Sequence, residues 1–517
     1  MKKWFDLSIG FSMAAALLCA TPGGAQALGN WSSPRNDMGH SGWQKAENTM
    51  SKENLSGQFK FLWKIKLGSA TKDSMSYSEP ILVPRLINAR GFKDFVLWAG
   101  PEDLYAVDSE LGSMLWKKHF DAAPSPCGAA SLSIIAEAPL VINFRARRGP
   151  GAPSAPPPQQ PPMAAADRRV GVSPGGGGFG LKGIYVLTGD GYLHEQVIAT
   201  GADFAPPVKF LPSAVGISNG LALDGKTIYT ATKAGCAGAE NALWSMNMNA
   251  TDYPVSSYKT GAVAPLIAMG PTLGDETAYV VTGSGKSDAA AGVYANSVVA
   301  LGADAKVKDW YTPAGEGALQ NVTPVLFTYN QKKILAAPGK DGSYVLLDAE
   351  SLGGADHHTP LASTSSVSKA KATAVAALAS WQSSDGTWVL ASVPGPMSEA
   401  AKFTNSNGAA PHGSIVAFKL EESAGKTELV PAWVSRDLVN PAPPVIANGL
   451  VLALSQGDAT THATLFVLDA ATGKELYSSG DEIKTYAHMA GMAVGDGHVF
   501  FVTHDNTLYS FGIGIEH

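Results

Sequence analysis

Short apolar runs, some alternating with polar residues and some continuous, recur along the 517-residue chain and are broken by Gly, Asn and Asp. The clearest copy is Leu104-Tyr105-Ala106-Val107-Asp108, followed by Gly112 and Trp116. It returns with identical spacing at Leu465-Phe466-Val467-Leu468-Asp469, Gly473 and Tyr477. Each copy reads as an alternating strand, then a turn, then a second strand that opens toward an aromatic side chain. In the turn the aspartate accepts backbone hydrogen bonds and the glycine takes a positive φ. Weaker copies stand at Val298-Val299-Ala300-Leu301 with Trp310, Tyr344-Val345-Leu346-Leu347-Asp348, Ile415-Val416-Ala417-Phe418 with Trp433, and Leu508-Tyr509-Ser510-Phe511. Two degenerate units lie at 184–198 and 227–247.

Upstream of most hairpins a second pair of apolar segments flanks a turn, as in Val445-Ile446-Ala447, Asn448-Gly449 and Leu450-Val451-Leu452-Ala453-Leu454. Each unit therefore predicts four short antiparallel strands. No such unit buries both faces alone, so neighbouring sheets must stack on one another, which is the condition that builds a propeller. A series of all-β sandwiches is the alternative. The predicted fold is an all-β, eight-bladed β-propeller with four-stranded antiparallel blades. The last unit supplies strands near 490–494, 499–503 and 508–513 but no fourth. Phe61-Leu62-Trp63-Lys64-Ile65-Lys66-Leu67 stands alone before the first complete unit, so pairing the two closes the ring and removes two raw sheet edges.

Composition agrees with many short strands and tight turns: 45% hydrophobic and 16% charged residues, with 56 Gly and 33 Pro. A net charge of -6 without a long basic run gives no electrostatic footprint for nucleic acid. Lys2 and Lys3, an apolar stretch from Leu7 to Ala20 and Ala25-Gln26-Ala27 read as a signal peptide over residues 1–27, leaving 28–517 as the propeller. Leu18 before Cys19 is too bulky for a lipoprotein signal. The mature chain then carries no transmembrane segment and is expected in the periplasm or secreted. Its remaining thiols, Cys127 and Cys236, form either one disulfide or two separate thiols. Residues 145–180, rich in proline, glycine and alanine, are expected to be a flexible insertion in the second blade.

The hairpin pattern, together with Asn30-Trp31, Asp37, Ser41-Gly42 and Trp63-Lys64, resembles the repeats and opening segment of quinoprotein alcohol dehydrogenases. These enzymes use pyrroloquinoline quinone, PQQ. The repeat is similar also to the propeller subunit of the outer-membrane assembly machine, so the resemblance implies a fold shared by enzymes and non-catalytic proteins. For an enzyme it implies PQQ with calcium or a lanthanide, adjacent cysteines over the cofactor, and a glutamate three residues before the proline of the first inner strand. Here there is no Cys-Cys pair, Tyr77 holds that glutamate position before Pro80, and Glu79 is displaced from it by two residues. Glu79 is the candidate cofactor contact.

No Cys-x-x-Cys-His motif is present to attach haem, and no histidine spacing seats zinc. His194, His488 and His504 fall near predicted strand ends, while His357, His358 and His412 lie in loops. Trp63, Trp116, Trp310 and Trp433 read as pegs between blades. Two functions follow. The first is a non-catalytic scaffold that binds a protein, a peptide or a small ligand. The second is a divergent PQQ-dependent oxidoreductase acting on an alcohol or sugar. The missing cysteine pair and displaced glutamate favour the first.

Overall fold

The computed structural model describes residues 29–68, 77–88, 91–121, 132–136, 183–212, 220–234, 239–265, 269–315, 317–369, 376–487 and 491–514. The expectations for residues 1–27, Cys127, Cys236, His488 and the 145–180 insertion lie outside them.

The chain folds as an all-β propeller of four-stranded antiparallel blades. In the first blade Ile81–Asn88, Gly91–Ala99, Asp103–Asp108 and Met114–His119 lie side by side in chain order. The second to seventh blades span 133–209, 222–261, 272–311, 325–363, 376–434 and 445–478 and repeat this order. The degenerate units at 184–198 and 227–247 fall on the second and third strands of the second and third blades. Two-residue strands extend two of the sheets. Trp43–Gln44 pairs in parallel with Ile446–Ala447, and the sixth blade gains Val322–Thr323 and Asn405–Ser406.

Eight blades were expected from the sequence, the last of them closed by the strand at Phe61–Leu67; the structure shows seven blades made of consecutive strands. The remaining sheet is composite. Ala493–Gly495, His498–Thr503 and Thr507–Ile513 have no fourth strand after them, and Phe59–Lys66 supplies it, antiparallel to Thr507–Ile513. Apolar side chains fill each seam between successive sheets. The largest cluster joins Leu452 and Val467 of the seventh blade, Phe500 and Phe511 of the composite sheet, and Val96 and Trp98 of the first blade. The seam between the seventh and first blades is thereby closed.

The repeated Asp-Gly-aromatic spacing has a direct structural meaning. Asp108 Oδ1 accepts from the N–H groups of Glu110 (3.0 Å) and Leu111 (3.2 Å), and Asp469 Oδ1 from those of Ala471 (2.9 Å) and Thr472 (3.0 Å). Gly112 (φ +62°) and Gly473 (φ +70°) are the seats for the preceding sheet's tryptophans. A Cβ there would stand 2.5 Å from Trp63 and 2.3 Å from Trp433. Each indole N–H then donates across the seam: Trp63 to Ser109 O (3.0 Å), Trp116 to Ile198 O (2.8 Å) and Trp433 to Ala470 O (3.0 Å). Trp310 differs, being stacked between Tyr294 (4.3 Å) and His357 (3.8 Å).

Candidate functional site at the axis of the ring

The innermost strand of every blade turns an edge of backbone N–H and C=O groups toward the axis, where they need partners. Among the described residues, 31–44 supply them to six of the seven blades, the third excepted, in the order of the blades. Trp31 exchanges both backbone bonds with Leu82 (2.9 and 3.0 Å), and Ser32 O accepts from Ala136 (2.9 Å). Met38, Gly39, Ser41 and Gly42 carbonyls accept from Leu273 (2.7 Å), Leu326 (2.9 Å), Ser380 (2.9 Å) and Ile446 (2.8 Å). Gln44 Nε2 closes the circuit on Val494 O (3.0 Å). The segment makes one turn around the inside of the ring.

Arg35 sits at the centre of this segment with no exposed surface. Its Nη2 donates to Pro444 O (2.7 Å) and Leu378 O (3.4 Å), while Nε and Nη1 have no hydrogen-bond partner. Burial lowers its pKa to about 10, so it stays charged at neutral pH. Glu79 approaches from the first blade. Its Oε1 accepts from Trp31 Nε1 (3.4 Å) and Arg35 N (3.2 Å), and its Oε2 is buried without a partner. Burial pushes the Glu79 carboxyl up to about 7 against the opposing pull of Arg35. His40, also buried, is held at about 3 by desolvation and by the Arg35 charge, with Nδ1 3.3 Å from Thr272 Oγ1. Asp37 is engaged by Ser41 N (2.9 Å) and Ser41 Oγ (2.6 Å).

Of the residues singled out in the sequence, Glu79 joins this centre together with Trp31, Asp37, Ser41 and Gly42 of the opening segment, and the histidines do not. His194 packs edge-on against Phe120 (5.0 Å), and His504 stacks on Tyr486 (4.5 Å). His357 stacks on Trp310, His358 Nδ1 lies 2.6 Å from Thr312 O, and His412 Nδ1 lies 2.7 Å from Asp437 Oδ2. These histidines are not brought together. Arg35 and His40 were missed. Their only signal was a lone arginine and histidine beside the Asp37 and Ser41-Gly42 that carry the family resemblance. A cleft of about 460 Å³ lined by Asn407, Ala409, Arg436, Asp437, Lys474 and Glu475 lies beside the seam of the sixth and seventh blades. Its main groups already pair, Arg436 Nη1 with Glu475 Oε2 at 2.6 Å and Asp437 with His412.

PQQ and its ion require carboxylate and amide donors beside a flat apolar floor. Glu79 turns its Oε1 into the axial segment, and Tyr77, in the glutamate position, is buried. Among the described residues no group of three or more His, Cys, Asp or Glu could hold a metal ion.

The fold is similar to that of solved propeller dehydrogenases. The structure is similar over 95% of this chain and 81% of the other to quinohaemoprotein alcohol dehydrogenase ADHIIG from Pseudomonas putida HK5, with TM-score 0.56 and 13% identity. It is similar over 94% and 98% to a europium-containing methanol dehydrogenase, with TM-score 0.55 and 11% identity. BamB from Moraxella catarrhalis matches over 88% and 99%, with TM-score 0.43 and 13% identity. No protein-family model and no curated protein sequence matches the chain.

Proposed function

We propose that this chain is an exported PQQ-like propeller that binds a protein, a peptide or a small ligand without turning it over. In this reading the propeller runs over 28–517 after removal of residues 1–27, works in the periplasm or outside the cell, and counts the composite sheet as its eighth blade. The observation that carries the reading is the placement of Glu79. The carboxylate that a cofactor would need is engaged by Trp31 and Arg35 inside the axial core. A quinone reacts only when its ion and base are held in productive geometry, and a ring of the right shape does not supply that by itself. Connections between strands suit the binding role, since those joining second to third strands include long ones, such as 395–412.

The test is reconstitution with PQQ and calcium or a lanthanide, followed by dye-linked oxidation of alcohols and sugars. No turnover is expected. Turnover that needs both PQQ and metal, and that is lost in Glu79→Gln, establishes the divergent dehydrogenase instead.

A further inference from the structure

The contacts of Arg35 are divided unequally. One nitrogen bonds to carbonyls of the sixth and seventh blades, at Leu378 and Pro444, while the other two are buried and unpartnered. The Glu79 carboxyl already touches the backbone N–H of the same residue, yet its Oε2 is unpartnered and no Arg35–Glu79 ion pair forms within 4.0 Å. We propose that Glu79, on losing its proton, draws the Arg35 guanidinium away from Pro444 and Leu378 and loosens the axial loop from the sixth and seventh blades.

The physical reason is a competition for one cation. A neutral carboxyl leaves the guanidinium bonded to backbone carbonyls. An ionised one in a site shut off from water demands charge-assisted donors, which are roughly twice as strong as neutral ones. Arg35 Nε and Nη1 are such donors. The raised pKa of Glu79, about 7, puts the exchange in the neutral range. What loosens is the pair of backbone bonds next to the anchors: Ser380 N to Ser41 O beside Leu378, and Ile446 N to Gly42 O beside Pro444.

The other groups around Glu79 do not substitute for it. On the axial segment His40 stays neutral down to about pH 3, and Asp37 is held by Ser41 with Lys45 at 3.8 Å. On its own strand Tyr77 is buried, and from the composite sheet's side the backbone of Gly491 packs against the carboxyl. At the turn of the composite sheet, Asp496 is raised to about 6 by burial and by Asp94 and Glu47, so it must be controlled.

Hydrogen exchange of the full-length protein at about pH 6 and about pH 8 reads the bonds directly, once the intrinsic pH dependence of exchange is removed. Peptides holding Ser380 and Ile446 are expected to exchange on the order of tenfold faster at the higher pH. Glu79→Gln should erase that difference and Asp496→Asn should keep it. Equal exchange at both pH values in the wild type, or an undiminished difference in Glu79→Gln, overturns the proposal. Should Glu79→Gln fail to fold, infrared titration of the Asp496→Asn protein follows the buried carboxyl band. Loss of that band across the same interval is expected, and a band that does not change overturns the proposal.

Discussion

Glu79 makes a signed prediction about stability. A carboxyl whose pKa is higher folded than unfolded binds its proton more tightly in the folded chain. Its contribution is complete below the unfolded value near 4.5 and is lost as pH rises through about 7. That interval corresponds to about 3 kcal/mol at most. Urea denaturation across pH should show this loss in the wild type and not in Glu79→Gln. His40 acts with the opposite slope. Its depressed pKa costs stability as pH falls from 6.5 toward about 3, and His40→Asn should flatten the acid side of the profile. Among the tryptophan pegs, Trp433 is fully buried and Trp116 half-buried. Trp433→Ala should cost roughly 3–5 kcal/mol and Trp116→Ala less, read by the same denaturation. The pegs were legible because a spacing repeats. The partners of Glu79 were not, since nothing in the sequence brings residue 35 against residue 79.

At the scale of elements, the hairpin repeat explains itself through its turn. Gly473 holds φ +70° against the Trp433 ring, so Gly473→Ala should destabilise by about 1–3 kcal/mol through both strain and clash. Thermal melting of that variant checks it. The strand Phe59–Lys66 was visible as an orphan apolar segment because a sheet with three strands needs a fourth. Truncation after Leu67 removes that strand with Trp63 and the whole axial turn. It should abolish cooperative melting, whereas deletion of 149–178, a stretch with little apolar side chain to bury, should leave the melting temperature nearly unchanged. The two-residue strands Trp43–Gln44 and Val322–Thr323 carry no such signal. They pair in parallel with strands remote in sequence and have too few residues to show periodicity.

At the scale of the molecule, the export reading predicts a mature protein that begins at Leu28. Mass spectrometry of the exported protein would show it, and retention of residues 1–27 would remove the basis for a periplasmic assignment. The sequence by itself determined the all-β class, the four-stranded unit, the stacking of units into a ring and the tryptophan pegs. These follow from periodicity and turn chemistry, which act over a few residues and are written locally. Tertiary structure alone decided that the opening segment follows the axis in blade order and that Glu79 is brought against Arg35. Those outcomes depend on which backbone edges remain unpaired once the ring has closed, and on burial far from water. Neither is set by neighbours in the chain.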